Sequence, residues 1–247
     1  DFLKAKTHLT FGAQSPLKLK LSDNLTYIER PAYENTLFGF QRLDNRLGVT
    51  GVFAPGRGAD GGPLSLSVGY QLQNVSFLNQ KQTLQIQNRS EKLAHALILE
   101  SKWRFLPKNY LLLDVSYTAN NYNDFAANGQ DVSSQTLSRD STPLRVQVGL
   151  SGLLSAHLAI FLKAGYANTY HKSGESFSGL IGLAEVSYRW EPRLSFSLGY
   201  QRDGRDSGFS NFYTLNSAFI KGQLKLSERS SFDAKLSYNI YEYSASN

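Results

Sequence analysis

Strict two-residue alternation is the feature that most restricts how this chain can fold. Pro63–Gln73 places Leu64, Leu66, Val68, Tyr70 and Leu72 on one side of an extended backbone, and Ser65, Ser67, Gly69, Gln71 and Gln73 on the other. A helix would scatter both sets around its axis, so the period assigns the segment to a strand with one apolar and one polar face. Pro143–Gly152 divides in the same way, with Leu144, Val146, Val148 and Leu150 opposite Arg145, Gln147, Gly149 and Ser151. Leu93–Phe105 repeats the pattern with Leu93, Leu97, Leu99, Trp103 and Phe105 on the apolar side.

Twelve such segments follow: Leu3–Ala13, Pro16–Tyr27, Asp44–Phe53, Pro63–Asn74, Lys92–Phe105, Tyr110–Ala119, Pro143–Leu153, His157–Thr169, Phe177–Trp190, Arg193–Arg202, Leu215–Leu226 and Ser231–Tyr241. The 15 Phe and 14 Tyr suit pleated surfaces. No apolar run approaches the roughly 20 residues of a membrane-crossing helix, but a β-strand crosses with about ten and shows lipid only every second one. Tight links at 14–15, 106–109, 154–156, 191–192 and 227–230, with a compact Gly-rich turn at 54–62, alternate with long polar links at 28–43, 75–91 and 120–142. A meander with short turns at one end and long loops at the other is the layout of an outer-membrane barrel. The expectation is an all-β, antiparallel transmembrane β-barrel occupying residues 1–247 as a single domain, located in the bacterial outer membrane and bathed in its lipid.

Six strands carry a small residue followed by Tyr, at Tyr70, Tyr117, Tyr166, Tyr188, Tyr200 and Tyr238. In five of them the Tyr stands on the apolar face about six residues beyond an apolar side chain near the short turns. At about 3.3 Å per residue and a tilt of about 40°, that is a rise of about 15 Å, which places these tyrosines toward one edge of the apolar band. Trp103, Phe105, Trp190 and Phe232 form the expected girdle at the turn end.

The polar faces then line an interior. Their bases are Lys4, Lys6, Lys18, Lys20, Arg46, Lys102, Arg104, Arg145, Lys163, Arg189, Arg193, Lys221, Lys225 and Lys235; their acids are Glu100, Asp114, Glu185 and Asp233. The excess of bases is greater than the whole chain's net +6. A wet lumen so charged attracts anions and repels cations. The main lumen-lining candidates are Lys102, Arg104, Asp114, Arg145, Lys163, Glu185, Arg189, Lys221, Lys225 and Lys235; the alternative is a salt-bridged interior that seals the barrel. Tyr33, Phe38, Phe40, Tyr122 and Phe125, set among polar residues of the long links, are candidate carbohydrate contacts.

Catalytic and cofactor signatures are lacking. The chain has no Cys, and His8, His95, His157 and His171 are not spaced as metal ligands. G-x-S-x-G does not occur, and GRGADGG at 56–62 lacks the Lys and hydroxyl of a phosphate loop. Basic residues spread over strand interiors do not form a nucleic-acid surface. The expectation is a non-enzyme without cofactor, metal or nucleic-acid partner.

The segments NRLGVTGVFAP, KWRFLPKNYLLLDVSY, TPLRVQVGLSGLLSAHLAIFLKAGYANTY and RLSFSLGYQRD resemble a group of outer-membrane β-barrel proteins of myxobacteria and related bacteria, often encoded beside polysaccharide-export machinery. The resemblance implies an outer-membrane passage for an exported polysaccharide, working with a periplasmic export protein. Two alternatives stand beside it: an anion-favouring general or small-solute porin, and a closed structural or adhesion barrel acting through its long loops. Parity adds an expectation. With short turns in the periplasm, twelve strands leave both termini outside, opposite to the usual arrangement. Either at least one strand is missing at each end, giving a barrel of fourteen or more, or Leu3–Ala13 is not a full strand.

Overall fold

The computed structural model describes residues 2–30, 40–56, 62–78, 91–122, 140–191, 193–206, 211–227 and 230–244. The twelve strands are β1 Phe2–Phe11, β2 Leu17–Arg30, β3 Phe40–Phe53, β4 Leu64–Phe77, β5 Lys92–Leu106, β6 Asn109–Tyr122, β7 Leu144–Leu153, β8 Leu158–Asn168, β9 Ser178–Glu191, β10 Leu194–Asp206, β11 Phe212–Lys225 and β12 Ser231–Tyr243. They form one antiparallel meander in chain order. Every segment expected from alternation, Leu3–Ala13 included, is a strand. Several run further at the loop end than the polar composition there suggests. β3 starts at Phe40 rather than Asp44, β6 continues to Tyr122, and β10 continues to Asp206. Backbone pairing with a neighbour carries a strand past the end of its apolar pattern.

The distribution of apolar side chains is that of a membrane wall. Large ones point outward, including Val148 (61% exposed), Leu198 (62%), Leu180 (73%) and Leu236 (75%). The buried apolar residues are few and mostly lie on the opposite, concave face: Val75, Ala94, Ala167, Ile181, Leu215 and Phe219. A water-soluble sandwich would bury its larger set; here that set is what the molecule exposes.

Register relates the tyrosines of different strands. Tyr70, Leu97 and Tyr117 share one row across β4–β6. Tyr238 shares a row with Ala218, Tyr200, Ala184, Leu162, Leu150 and Leu111. Leu111 stands six residues before Tyr117 on β6, toward the turn end. For Tyr117 and Tyr238 to lie at one membrane depth, the strands must therefore climb about 20 Å over about 29 Å of sheet width, a tilt of about 35°. That is within the range barrel strands adopt; on a sheet so tilted Tyr70 and Tyr117 in one row, and Tyr200 and Tyr238 in another, stand at different depths, so the tyrosines form a band rather than a line. Tyr188 belongs to the other girdle: on β9, which runs toward the turns, it stacks edge-on with Trp190 at 6.3 Å.

Among the described residues no ladder joins β1 to β12, and the side chains of both strands are exposed almost throughout. On β8, Leu162, Ala164 and Tyr166 are outward and exposed, whereas Phe161, Lys163, Gly165 and Ala167 face the concave side. Spin labels moved along Leu158–Tyr166 should show oxygen accessibility peaking at every second position. A peak every three to four positions would contradict the strand.

Candidate functional site: the concave face

Each strand offers its second set of side chains to the concave face, and there the charges meet across strands. Lys163 on β8 reaches Asp114 on β6 by passing over β7 at Gly149, where a Cβ would lie 2.8 Å from the lysine Cγ. Lys221 on β11 pairs with Glu185 on β9 at 2.9 Å across β10. Between them Phe219 lies over Gly199, whose Cβ would stand 2.2 Å from the ring edge. Nζ of Lys221 and of Lys235 lie 4.6 and 5.1 Å from the centre of that ring. Lys102 stands 3.9 Å from the Tyr110 ring centre. Such contacts hold an ammonium over an aromatic face without cancelling its charge.

The loop end is denser. Arg145 on β7 donates to Asp203 on β10 at 2.6 Å and to the Gly204 carbonyl, spanning β8 and β9. Arg205 donates to the other carboxylate oxygen at 2.9 Å. Asn120 on β6 donates to Asp206 and to Ser141 Oγ, both at 3.0 Å. On the other wall Asp44 accepts from Arg42 and Arg46 at 3.3 Å and from Gln73. The Lys92 ammonium lies 5.9 Å from the Tyr122 ring centre. Contacts spanning three or four strands require a strongly curled sheet, because flat strands so separated stand about 14–19 Å apart.

Of the expected lumen residues, Asp114 meets Lys163, Glu185 meets Lys221, and Lys235 shares the Phe219 ring with Lys221; Arg145 joins the loop-end network, and Lys102, Arg104, Arg189 and Lys225 face inward by strand parity on the turn halves of their strands. The four-acid count is too low, since Asp44, Asp203 and Asp206 also take part in the concave-face contacts. Asp44 had a readable signal, the same strand parity as Arg46; Asp203 lay beyond the expected end of its strand. The partners they add to the fourteen bases are Arg42 and Arg205, since Arg46 and Arg145 are already among them, and bases still outnumber acids. The concave face thus carries cross-strand salt bridges and lysines over aromatic rings together, with Lys163 and Lys221 in both kinds of contact. Tyr122, placed in a loop by the sequence reading, ends β6 with its N–H on Asp140 at 2.8 Å. Phe40 begins β3 rather than lying in a loop, and Tyr33, Phe38 and Phe125 fall outside the described residues. Among the described residues no group of His, Asp or Glu is arranged to hold a metal ion.

This architecture defines an outer-membrane β-barrel wall. No protein-family model and no curated protein sequence matches the chain. Two solved structures are similar. The FrpB iron transporter from Neisseria meningitidis, in its F5-1 variant apoprotein form, aligns at TM-score 0.54 with 13% identity over 96% of this chain and 43% of its own. The CymD monoaromatic hydrocarbon channel aligns at TM-score 0.44 with 10% identity, over 98% of this chain and 82% of its own. The chain thus spans less than half of FrpB. The fold shared with FrpB is the outer-membrane β-barrel, and the outward apolar band with its aromatic rows agrees with a place in the bacterial outer membrane. The polysaccharide-export association rests on the sequence segments alone.

Proposed function

We propose that the chain forms the wall of an outer-membrane passage whose interior favours anionic solutes. One observation supports the reading: Lys102 and Lys235 are held over aromatic rings on the concave face, beside a formal excess of bases over acids there. Unpaired backbone cannot face hydrocarbon, so the β1 and β12 edges are paired in the membrane, with each other or with further strands. Reconstituted protein in asymmetric KCl should give reversal potentials on the chloride side, weakening as the Debye length falls from about 10 Å at 0.1 M to about 3 Å at 1 M. Replacing Lys102 and Lys235 by Gln should reduce the preference; replacing Lys81 and Arg89, which belong to none of the twelve alternating segments, should not. Cation preference in the intact protein would refute the reading.

Export of an acidic polysaccharide with a periplasmic partner is a second, narrower form of this reading. It is favoured by the aromatic rings that stand among hydroxyls and lysines on the same wall, a surface suited to sugar rings bearing carboxylates. Its test is co-purification of a periplasmic export protein with the full chain; a barrel that conducts chloride but captures none would leave only the general passage.

A further inference from the structure

We infer that the concave face carries a subsite for one acidic pyranose unit at the turn end of β7–β9, an inference that rests on the passage reading and specifies its solute. An open depression of about 410 Å³ lies there, its lining including Ser151, Ala159, Phe161, Glu185, Ser187 and, from the β5–β6 turn, Lys108. Register explains its shape. Ser151, Phe161 and Glu185 share one row across three strands, and Leu153, Ala159 and Ser187 share the next inward-facing row. The short side chains of Ala159, Ser151 and Ser187 form a recess beside the taller Phe161 ring. Its lining pairs an apolar wall with a few placed polar groups, the composition of small-ligand sites.

A pyranose matches this lining group by group. Its C–H face suits the half-buried Phe161, and its hydroxyls suit Ser151, Ser187 and the Glu185 carboxylate. Glu185 is oriented by Lys221 Nζ at 2.9 Å, and Ser187 is oriented by Ser197 Oγ at 2.8 Å. Lys163, which lies 5.6 Å from the Phe161 ring centre, is committed to Asp114. Lys108 is therefore the cation on the cavity lining that can hold a sugar carboxylate.

The test uses the full chain folded in detergent micelles and saturation-transfer NMR with three probes: glucuronate, glucose and acetate. Glucuronate should bind most tightly, with transfer strongest at its ring C–H protons. Lys108→Gln should weaken glucuronate about tenfold, to the level of glucose, and Phe161→Leu should weaken both sugars about tenfold. Heat-modifiable migration on a gel confirms that each variant is folded. Acetate binding as well as glucuronate, or a folded Phe161→Leu variant with unchanged affinity, overturns the subsite. The two readings fail separately: chloride preference without sugar binding removes the subsite alone, whereas cation preference removes the passage reading whatever the NMR shows.

Discussion

Arginine in place of Leu162 is expected to destabilise the folded barrel by about 2–4 kcal/mol, the cost of a cation on the lipid face near the bilayer midplane. Leu162 is 41% exposed on the outward face of β8. It stands between Leu150 and Ala184 on its hydrogen-bond row and midway along the strand between Leu158 and Tyr166. Arginine at Tyr166 should cost only about 0–1 kcal/mol, because the girdle is where a long side chain reaches head groups. Urea titration of folding into phospholipid vesicles measures both. Equal tolerance at the two positions would mean that β8 does not face lipid.

That contrast also shows what could be read from the sequence. Alternation in Leu158–Tyr166 assigns the two faces because only period two separates Leu162 from Lys163, and no partner strand is needed to see it. The meander was legible for the same reason, since twelve alternating segments separated by turn-rich links leave little choice of order. Strand ends were not. Asp203 and Asp206 lie past the last apolar residue of β10, and the pairing of Asp203–Asp206 with Phe212–Leu215 that extends the strand is a property of β11. The salt-bridge partners were hidden by the same limit. Inward parity puts Arg145 and Asp203 on one face, but that they touch depends on how tightly β8 and β9 curl between them. The tilt was half legible, because the recurring small-residue–Tyr pattern marks a girdle whose slope across the sheet needs the register.

The link between Arg145 and Asp203 gives the other large effect. Asp203 is 9% exposed and accepts from Arg145 at 2.6 Å and from Arg205 at 2.9 Å. Asp203→Asn removes the charge that both arginines address, and the expected loss is about 1.5–3 kcal/mol, the range for hydrogen bonds to charged groups. The two guanidiniums then face each other across the loop end without their shared anion. Removing Arg145 as well should relieve part of that loss, so Arg145→Leu and Asp203→Leu combined should cost less than the sum of the single changes. The same vesicle titration measures this cycle, and additive values would show that the bridge does not fasten β7 to β10. Conductance supplies a readout that stability does not. Asp203→Asn leaves one more uncompensated positive charge in the interior, so chloride preference should rise, opposite to the Lys102 and Lys235 replacements. An unchanged preference would mean that Asp203 lies off the ion path and that the loop-end network only fastens the wall.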